Sequence, residues 1–270
     1  MTRAAASAGA RLYFDVSYRL LAGSAAGRRV LALAAAGSEP VHGYFTAEDR
    51  DSLLADLDPG PDDLVLDLGC GLGGVAIELH RRSGARIVGV DLSRQAVSTA
   101  TAQAQRAGLD GSVEFLVGDL AVPPRIGATK AHAIDSLMFV PDLVGTLAGI
   151  VEAIGPDGRL FATMLVIGSR PRDRIRGALK SAGASLQRLD NVTPALSERS
   201  RARANLAASL LPRRSTSLRG RMAMALVIAE EVMVRSLVAL RLLSRWRFVV
   251  AFDSAYVPSM QVWAALDEPT

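Results

Sequence analysis

Cysteine, lysine and aromatic residues are scarce in this chain of 270 residues. The single cysteine, Cys70, excludes intramolecular disulfides and with them the small disulfide-stapled secreted folds. We therefore expect a reducing, cytoplasmic setting. No apolar run reaches the roughly 18 residues of a membrane-spanning helix, so no transmembrane segment is predicted. Met1 to Ala10 lacks the hydrophobic stretch of a signal peptide and is interpreted as a loose tail.

Positive charge is concentrated in one part of the chain. The formal net charge is +4, but the segment from Leu196 to Arg247 has eleven arginines against three glutamates, which leaves −4 for the rest. Such a segment could hold a carboxylate, a phosphate or an acidic partner, although a solvated surface is the simpler interpretation for most of its arginines. The candidates are Arg199, Arg201, Arg203, Arg213, Arg214, Arg219 and Arg221.

The chain is organised around a glycine-rich turn. Leu64 to Leu68 is a short apolar run typical of a strand buried on both faces. It runs into three spaced glycines, Gly69, Gly71 and Gly73, which precede a predicted helix from Val75 to Arg82. Glycine permits backbone conformations closed to other residues, so a ligand can lie against bare peptide N–H groups at the start of that helix. The turn therefore predicts a ligand site.

Acidic residues stand at the ends of three predicted strands. Asp67 precedes the glycines, Asp91 follows the strand from Arg86 to Val90, and Asp119 follows the strand from Val113 to Val117. The carboxyl ends of parallel strands meet at one edge of a sheet, so these carboxylates should share one crevice. The distance from Asp67 to Asp91 suits an acidic residue that accepts hydrogen bonds from both ribose hydroxyls, and Asp119 could accept from an adenine amine. The pattern predicts a nucleoside ligand.

These residues resemble those of the class I S-adenosylmethionine (SAM)-dependent methyltransferases, small-molecule branch. The run from Asp67 to Gly73 is similar to that family's first motif rather than to the dinucleotide fingerprint, in which the strand ends in glycine. The resemblance covers nearly all of the chain and is strongest from 64 to 165. It implies SAM as cofactor, with the glycines against its methionine half, Asp91 on the ribose and Asp119 facing adenine. It further implies cofactor contacts from Leu92, Leu120 and Ser136.

The alternation of predicted strands and helices indicates an α/β protein. We predict a Rossmann-like, doubly wound, mostly parallel seven-stranded sheet with an α-helical cap. The predicted parts are N-terminal helices and a cofactor-covering loop at 1–58, a SAM-binding core at 59–193, a helical cap insert at 194–250 and a final strand at 251–270. The insert would hold two helices, Pro194 to Leu211 and Arg221 to Leu243, and the last strand, antiparallel, is placed at about Ser259 to Leu266.

Two tyrosines are candidates for the reactive end of the cofactor. The segment from Pro40 to Phe45 resembles the His-x-Gly-Tyr-aromatic segment of the family's small-molecule enzymes, in which the tyrosine closes over SAM. The resemblance implies that Tyr44, and with it Tyr13, lies near the sulfonium. Both could equally be aromatic anchors of the core.

The fourth predicted strand and its loop, Ala131 to Asp142, depart from the family pattern. The family's histidine, a frequent candidate for the general base, aligns with Phe139. Oxygen and nitrogen acceptors usually need help in losing a proton, so the usual deprotonation is in doubt. The other candidates for a catalytic base are Asp135 and His42, whereas His132 is expected to be a satisfied core histidine.

We predict a SAM-dependent methyltransferase that methylates carbon or oxygen of a small, largely apolar secondary metabolite, which could carry an anionic group. No metal is implied. The helix from Arg221 to Leu243 is apolar on most of its circumference. It would pack as core or across a homodimer interface, or else Met222, Met224 and Met233 would line an adaptable acceptor pocket.

Other features of the sequence bear on three alternative functions. The Phe139 position suggests a cyclase or rearrangement enzyme that binds SAM as a fixed charge without methyl transfer. A non-catalytic partner subunit on the same scaffold is a further alternative. Nucleic-acid methylation is disfavoured, because the fourth-strand loop lacks an Asn/Asp-Pro-Pro-aromatic motif for a flipped base and no aromatics interleave the basic segment.

Overall fold

The computed structural model describes residues 3–34, 43–155, 157–211 and 216–252. Seven strands of these residues form one sheet in the order β3-β2-β1-β4-β5-β7-β6, with β7 antiparallel to both neighbours and the other pairs parallel. The predicted doubly wound, mostly parallel sheet is confirmed. The strands are β1 (Leu64–Leu68), β2 (Arg86–Asp91), β3 (Val113–Val117), β4 (Lys130–Ile134), β5 (Arg159–Ile167), β6 (Ala184–Asn191) and β7 (Leu243–Phe252).

Helices pack on both faces of the sheet. Successive residues of β1 point to opposite faces: Leu66 and Leu68 join a core cluster with the helices at 143–154 and 171–181, whereas Val65 joins a cluster with the helices at 47–57 and 74–83. Burial on both sides explains why this strand is apolar throughout. The helices are α1 (Arg3–Ala22), α2 (Ala25–Ala34), α3 (Ala47–Leu57), α4 (Gly74–Ser83), α5 (Arg94–Arg106), α6 (Leu143–Ile154), α7 (Pro171–Ser181), α8 (Thr193–Leu210) and α9 (Leu218–Ala239).

The N-terminal region contains more helix than predicted. Residues 3–10, expected to be part of a loose tail, form the first turns of α1. The run is rich in alanine, the residue with the highest helix propensity, and this outweighs Gly9. The start of α3 agrees with prediction, because the Thr46 hydroxyl accepts from the Asp49 N–H and the Asp49 carboxylate accepts from the Thr46 N–H.

The predicted position of the last strand was wrong. The seventh strand is Leu243–Phe252, whereas 259–266 lie outside the described residues. The cap insert correspondingly ends at Ala239, well before residue 250. The run from Trp246 to Phe252 has the β-branched and aromatic residues that favour strands. Arg245 and Arg247 interrupt the apolar pattern at its start, yet both are buried, because carboxylates of other elements pair with them.

Helices α1, α2, α8 and α9 form the cap. Their apolar side chains share one cluster with Leu72 of the glycine turn and Ala96 of α5, so the cap packs over the carboxyl edge of the sheet. Met224 is wholly buried in that cluster, and Met222 lies in a separate surface groove, so neither lines the expected pocket; only Met233 does. None of the helices in the described ranges is long and apolar enough to cross a membrane.

Candidate active site

A cavity of about 530 Å³ runs along the carboxyl edge of the sheet beneath the cap. This volume lies in the range of about 300–1,000 Å³ that is usual for small-molecule sites. The cavity brings together most of the residues predicted from the sequence, but Gly73 is not part of its lining and His42 lies outside the described residues. The predicted residues that line it are Tyr13, Tyr44, Asp67, Gly69, Gly71, Asp91, Leu92, Asp119, Leu120, Asp135 and Ser136.

The order of strands divides the cavity into two ends. Asp119, Asp91 and Asp67 come from β3, β2 and β1 or directly follow them, and they lie with the glycine turn at one end. The other end is formed by residues of β5, β7, the loop after β4 and helix α9, and most of these are apolar. They include Met138, Phe139, Leu165, Ile167, Met233, Val234, Leu237 and Leu243.

The glycine turn leaves no room for side chains. A Cβ on Gly69, whose φ is +84°, would lie 2.4 Å from the Cβ of Ser136. One on Gly71, with φ +52°, would lie 3.0 Å from the Tyr18 hydroxyl oxygen. Gly73 has a packing role, since its Cβ would lie 2.6 Å from the Phe115 ring. The turn therefore exposes main chain to the cavity at Gly69 and Gly71.

Asp91 is held in place by the turn. One carboxylate oxygen accepts from the Gly71 N–H at 2.9 Å and the other from the Ser93 N–H at 2.8 Å. Burial raises the pKa of Asp91, and these two hydrogen bonds lower it. The Asp119 carboxylate likewise accepts from the Ala121 N–H at 2.9 Å. Both carboxylates keep acceptor capacity for a ligand, because a carboxylate offers about four lone-pair sites.

Asp67 and His132 form a buried pair without a full set of partners. The His132 Nδ1 lies 3.5 Å from an Asp67 oxygen, and the other Asp67 oxygen has no hydrogen-bond partner within the described part of the chain. Burial raises the pKa of Asp67 well above its ordinary range and lowers that of His132 to about 3. His132 is therefore a neutral core histidine as expected, but neither of its nitrogens is hydrogen-bonded in the described residues.

Asp135 is surrounded by donors from its own protein. It accepts from Arg245 Nε at 2.9 Å, from the Thr163 hydroxyl at 3.0 Å and from the Tyr44 N–H at 3.3 Å. Arg245 also pairs with Asp49 at 2.8 Å and is completely buried. Because these donors already engage both of its oxygens, the geometry favours Asp135 as a residue that positions Tyr44 rather than as a base.

Sequence reasoning did not assign a role to the two glutamates of α9, and it named Arg203 of α8 only as a candidate for holding an anion. The Tyr44 hydroxyl donates to Glu231 at 3.0 Å, and Arg203 pairs with the same glutamate at 2.8 Å while donating to the Gly43 carbonyl at 2.8 Å. Next to Glu231, Glu230 accepts from the Tyr13 hydroxyl and lines the cavity. Two adjacent glutamates within an otherwise apolar helix were the signal that could have indicated them.

Comparison with known proteins assigns the family. Residues 65–158 match the sequence model described as "Methyltransferase domain". This part of the chain is a methyltransferase domain, and the fold is that of the class I SAM-dependent methyltransferases. The matched stretch of this methyltransferase contains the glycine turn, Asp67, Asp91 and Asp119, the features that first indicated the family.

Curated relatives are similar to part of this methyltransferase. Methyltransferase GfsG of Streptomyces halstedii is 29% identical over 156 residues, which are 55% of this chain and 56% of the relative. Sterol 24-C-methyltransferase ERG6B of Gibberella zeae is 32% identical over 100 residues, 36% of this chain and 26% of the relative. The chain spans between 21% and 56% of the length of the first curated relatives that it matches.

Solved structures show the same fold. Phosphoethanolamine N-methyltransferase 2 of Haemonchus contortus, in complex with SAM, has a TM-score of 0.69 at 17% identity and covers 84% of this chain and 57% of its own. The [4+2]-cyclase SpnF has a TM-score of 0.65 at 19% identity, with 76% of this chain and 80% of its own covered. Both comparisons concern architecture alone, because identity is so low.

SAM is the cofactor of this family, and the residues present at the acidic end fit it. Asp67 and Asp91 are buried carboxylates, and Asp67 has an oxygen without a partner in the described residues. Burial of such groups is costly unless a charge or donor faces them. SAM carries a sulfonium and an amino group, both cationic, and a nucleoside with hydroxyl donors. The bare main chain of the glycine turn allows a ligand to approach closely.

Proposed function

We propose that this chain transfers a methyl group from SAM to carbon or oxygen of a small, largely apolar acceptor of the secondary-metabolite type. One observation carries the proposal: a single cavity has an acidic end lined by the glycine turn and an apolar end covered by the cap. A donor and an acceptor bound at the two ends would meet within one water-poor space. This arrangement supports transfer between two small molecules.

The chain's own residues would bind and orient. We assign the ribose to Asp91, the adenine to Asp119 and Leu120, and the methionine half to the turn at Gly69 and Gly71. Leu92, Ser136, Tyr44 and Tyr13 complete this proposed set. SAM supplies an electrophilic methyl on a positively charged sulfur. Holding an acceptor in line with that methyl, away from water, accounts for much of the rate enhancement expected of such a site.

The acceptor is proposed to be mainly apolar because Arg203, the one candidate arginine in the described lining, is already paired, as is Arg199 one turn earlier on α8. Arg199 donates to the carbonyls of Leu33 and Phe45, and Arg203 is occupied by Glu231 and Gly43. These contacts weaken the idea of an anion-binding cluster. They also weaken a nucleic-acid substrate, although the 23S rRNA methyltransferase RlmD of Azoarcus sp. matches 100 residues of the chain at 36% identity.

A SAM-binding cyclase or rearrangement enzyme is the second candidate. Phe139 occupies the place of the family's histidine, and no histidine lines the cavity within the described residues. Phe139 packs edge-on against Phe14, with ring centroids 4.9 Å apart, so this wall is aromatic rather than basic. A reaction that does not require removal of a proton is compatible with a cavity wall that lacks a basic side chain.

Calorimetry and labelled SAM test the proposal together. Purified protein should bind both SAM and S-adenosylhomocysteine, and a panel of apolar phenols, β-dicarbonyls and isoprenoids should include compounds that gain the labelled methyl. Substrate turnover without formation of S-adenosylhomocysteine would favour the cyclase. Failure to bind SAM would leave the non-catalytic subunit as the better interpretation.

The affinity for SAM is expected to rise with pH. The rise should occur at pH values above those at which ordinary carboxyl groups ionise. Burial raises the pKa of Asp67 and Asp91 in the free protein, and a cationic ligand favours their ionised forms. Binding should therefore lower both pKa values and release protons, so deprotonation and binding promote each other. Calorimetry in buffers of different ionisation enthalpy counts the protons. S-adenosylhomocysteine, which lacks the sulfonium charge, should show a weaker dependence; an equal or absent dependence would contradict the assignment.

A further inference from the structure

We propose that Glu230 of helix α9 is the general base, and that the acceptor presents an acidic hydroxyl, phenolic or enolic, to it. The inference rests on the proposed methyl transfer and extends it by naming the base and the class of acceptor. It begins from the absence of an imidazole at Phe139, which leaves proton removal without its usual residue.

The position of Glu230 separates it from the other carboxylates of the cavity. In the described lining, Asp67 and Asp91 lie in β1 and β2 and Asp119 follows β3, all at the acidic end. Asp135 is engaged by Arg245 and Thr163. Glu230 remains: it belongs to α9, the helix that also contributes Met233, Val234 and Leu237 to the apolar end. An acceptor lying in that end would therefore meet one carboxylate from the cap.

Aromatic contacts connect Glu230 to the place where the family has its histidine. The Phe139 ring contacts Phe14 at 4.9 Å between centroids, and Phe14 contacts Tyr13 at 5.2 Å. The Tyr13 hydroxyl in turn donates to Glu230 Oε1. One carboxylate oxygen is thus oriented by Tyr13, and the other, which has no hydrogen-bond partner among the described residues, can meet the acceptor. The proposed base therefore lies on the cap helix α9 rather than in the loop after β4, on the other side of this aromatic cluster.

The surroundings of Glu230 raise the pKa of its carboxyl group above the ordinary value. Burial raises its pKa, and so does the adjacent Glu231, whereas the hydrogen bond from Tyr13 on α1 and the charge of Arg203 on α8 lower it. Arg203 makes its ion pair with Glu231, which also holds the Tyr44 hydroxyl, and not with Glu230. A carboxylate whose pKa lies closer to the working pH is a more effective general base.

The proposed step balances without a further reactant. The hydroxyl proton of the acceptor passes to the free oxygen of Glu230. The acceptor oxygen uses its electron pair to bond the methyl carbon, while the carbon–sulfur bond breaks with its pair remaining on sulfur. Glu230 is only partly buried, so it can afterwards release the proton to solvent.

Glu230→Gln tests the role with three probes of this acceptor class that remain protonated near neutral pH: naphthol, 4-phenylphenol and acetylacetone in its enol form. We expect kcat for S-adenosylhomocysteine formation to fall about 10²–10⁴-fold, the usual effect of losing a general base, while KM stays nearly constant. Glu152→Gln is the matched control, because Glu152 is an exposed residue of α6 paired with Arg125, and it should leave kcat unchanged. Wild-type methylation of none of the three probes would overturn the acceptor class.

Two measurements separate this role from a structural one. Carbon-13 NMR of the glutamate carboxyl carbons in the unliganded protein should show a signal, absent in Glu230→Gln, that titrates above the ordinary range. Tyr13→Phe removes a hydrogen bond that favours the ionised form of Glu230. The titration of the Glu230 carboxyl group and the acidic limb of the pH profile of kcat should therefore both move to higher pH. Unchanged kcat in Glu230→Gln, or unshifted limbs in Tyr13→Phe, would overturn the assignment.

Calorimetry with S-adenosylhomocysteine distinguishes the two possible failures. Equal binding by wild type and Glu230→Gln, together with equal kcat, would remove Glu230 as base and leave the methyltransferase proposal intact. No binding by the wild type would remove the proposed function and this inference with it.

Discussion

Arg245→Met is expected to lower the free energy of unfolding by about 3–5 kcal/mol, the usual cost of breaking a buried ion pair from one side. Arg245 is fully buried and donates to Asp135 at 2.9 Å, to Asp49 at 2.8 Å and to the Thr163 hydroxyl at 3.1 Å. Burial alone would lower the pKa of Arg245, but the two carboxylates raise it, so the guanidinium stays charged. Methionine fills similar space but leaves Asp135 buried without its cation and Asp49 with only the more distant Arg247, at 3.5 Å.

Chemical denaturation measures this loss directly. Arg125→Met is the matched control, because Arg125 and its partner Glu152 are 70% and 45% exposed, and an exposed pair contributes less than about 1 kcal/mol. The triple variant Arg245→Met, Asp49→Asn, Asp135→Asn should recover part of the stability, since it removes the unpaired charges. Equal, small losses for Arg245→Met and Arg125→Met would show that the buried network does not stabilise the fold.

Asp91→Ala is expected to weaken SAM and S-adenosylhomocysteine binding by about 10²–10⁴-fold. Each hydrogen bond to a charged group contributes about 1.5–3 kcal/mol, and the proposed contact to the ribose consists of two. The substitution also frees the N–H groups of Gly71 and Ser93, which Asp91 now orders. Both the lost hydrogen bonds to the ligand and the lost ordering of the glycine turn should therefore weaken binding.

Calorimetry with both ligands checks this expectation. Asp110→Ala is the control, since Asp110 is exposed in the loop before β3 and should bind as the wild type does. Circular dichroism and thermal unfolding should show that Asp91→Ala remains folded. If the folded variant binds with wild-type affinity, the assignment of the ribose to Asp91 is wrong.

Local patterns were sufficient to predict the core of the sheet. Leu64 to Leu68 has the pattern of a strand buried on both faces, because a different layer of helices packs on each face. The glycines that follow are required because a side chain at position 69 or 71 would contact neighbouring residues too closely. Thr46 and Asp49 could be read as the start of a helix, because the capping hydrogen bonds join residues three positions apart. Such features depend on neighbours in sequence.

The burial of charge could not be predicted in this way. Arg245 lies 196 positions from Asp49 and 110 from Asp135, and its neighbours in sequence give no sign that these carboxylates converge on it. Arg245 and Arg247 were counted only as part of a basic segment, whereas the structure places both in β7 and buries them. The same holds for Glu230, whose partner Tyr13 is 217 positions away.

The sequence by itself determined the methyltransferase domain, the succession of the first six strands along the chain and the acidic end of the cavity at the glycine turn, because each rests on spacing within short segments. Only the tertiary structure decided which charged residues are buried, where the seventh strand lies and which side chains of the cap face the acceptor end. A carboxylate is bonded or free according to which donors the fold brings within about 3 Å of it, and that depends on distances in space rather than along the chain.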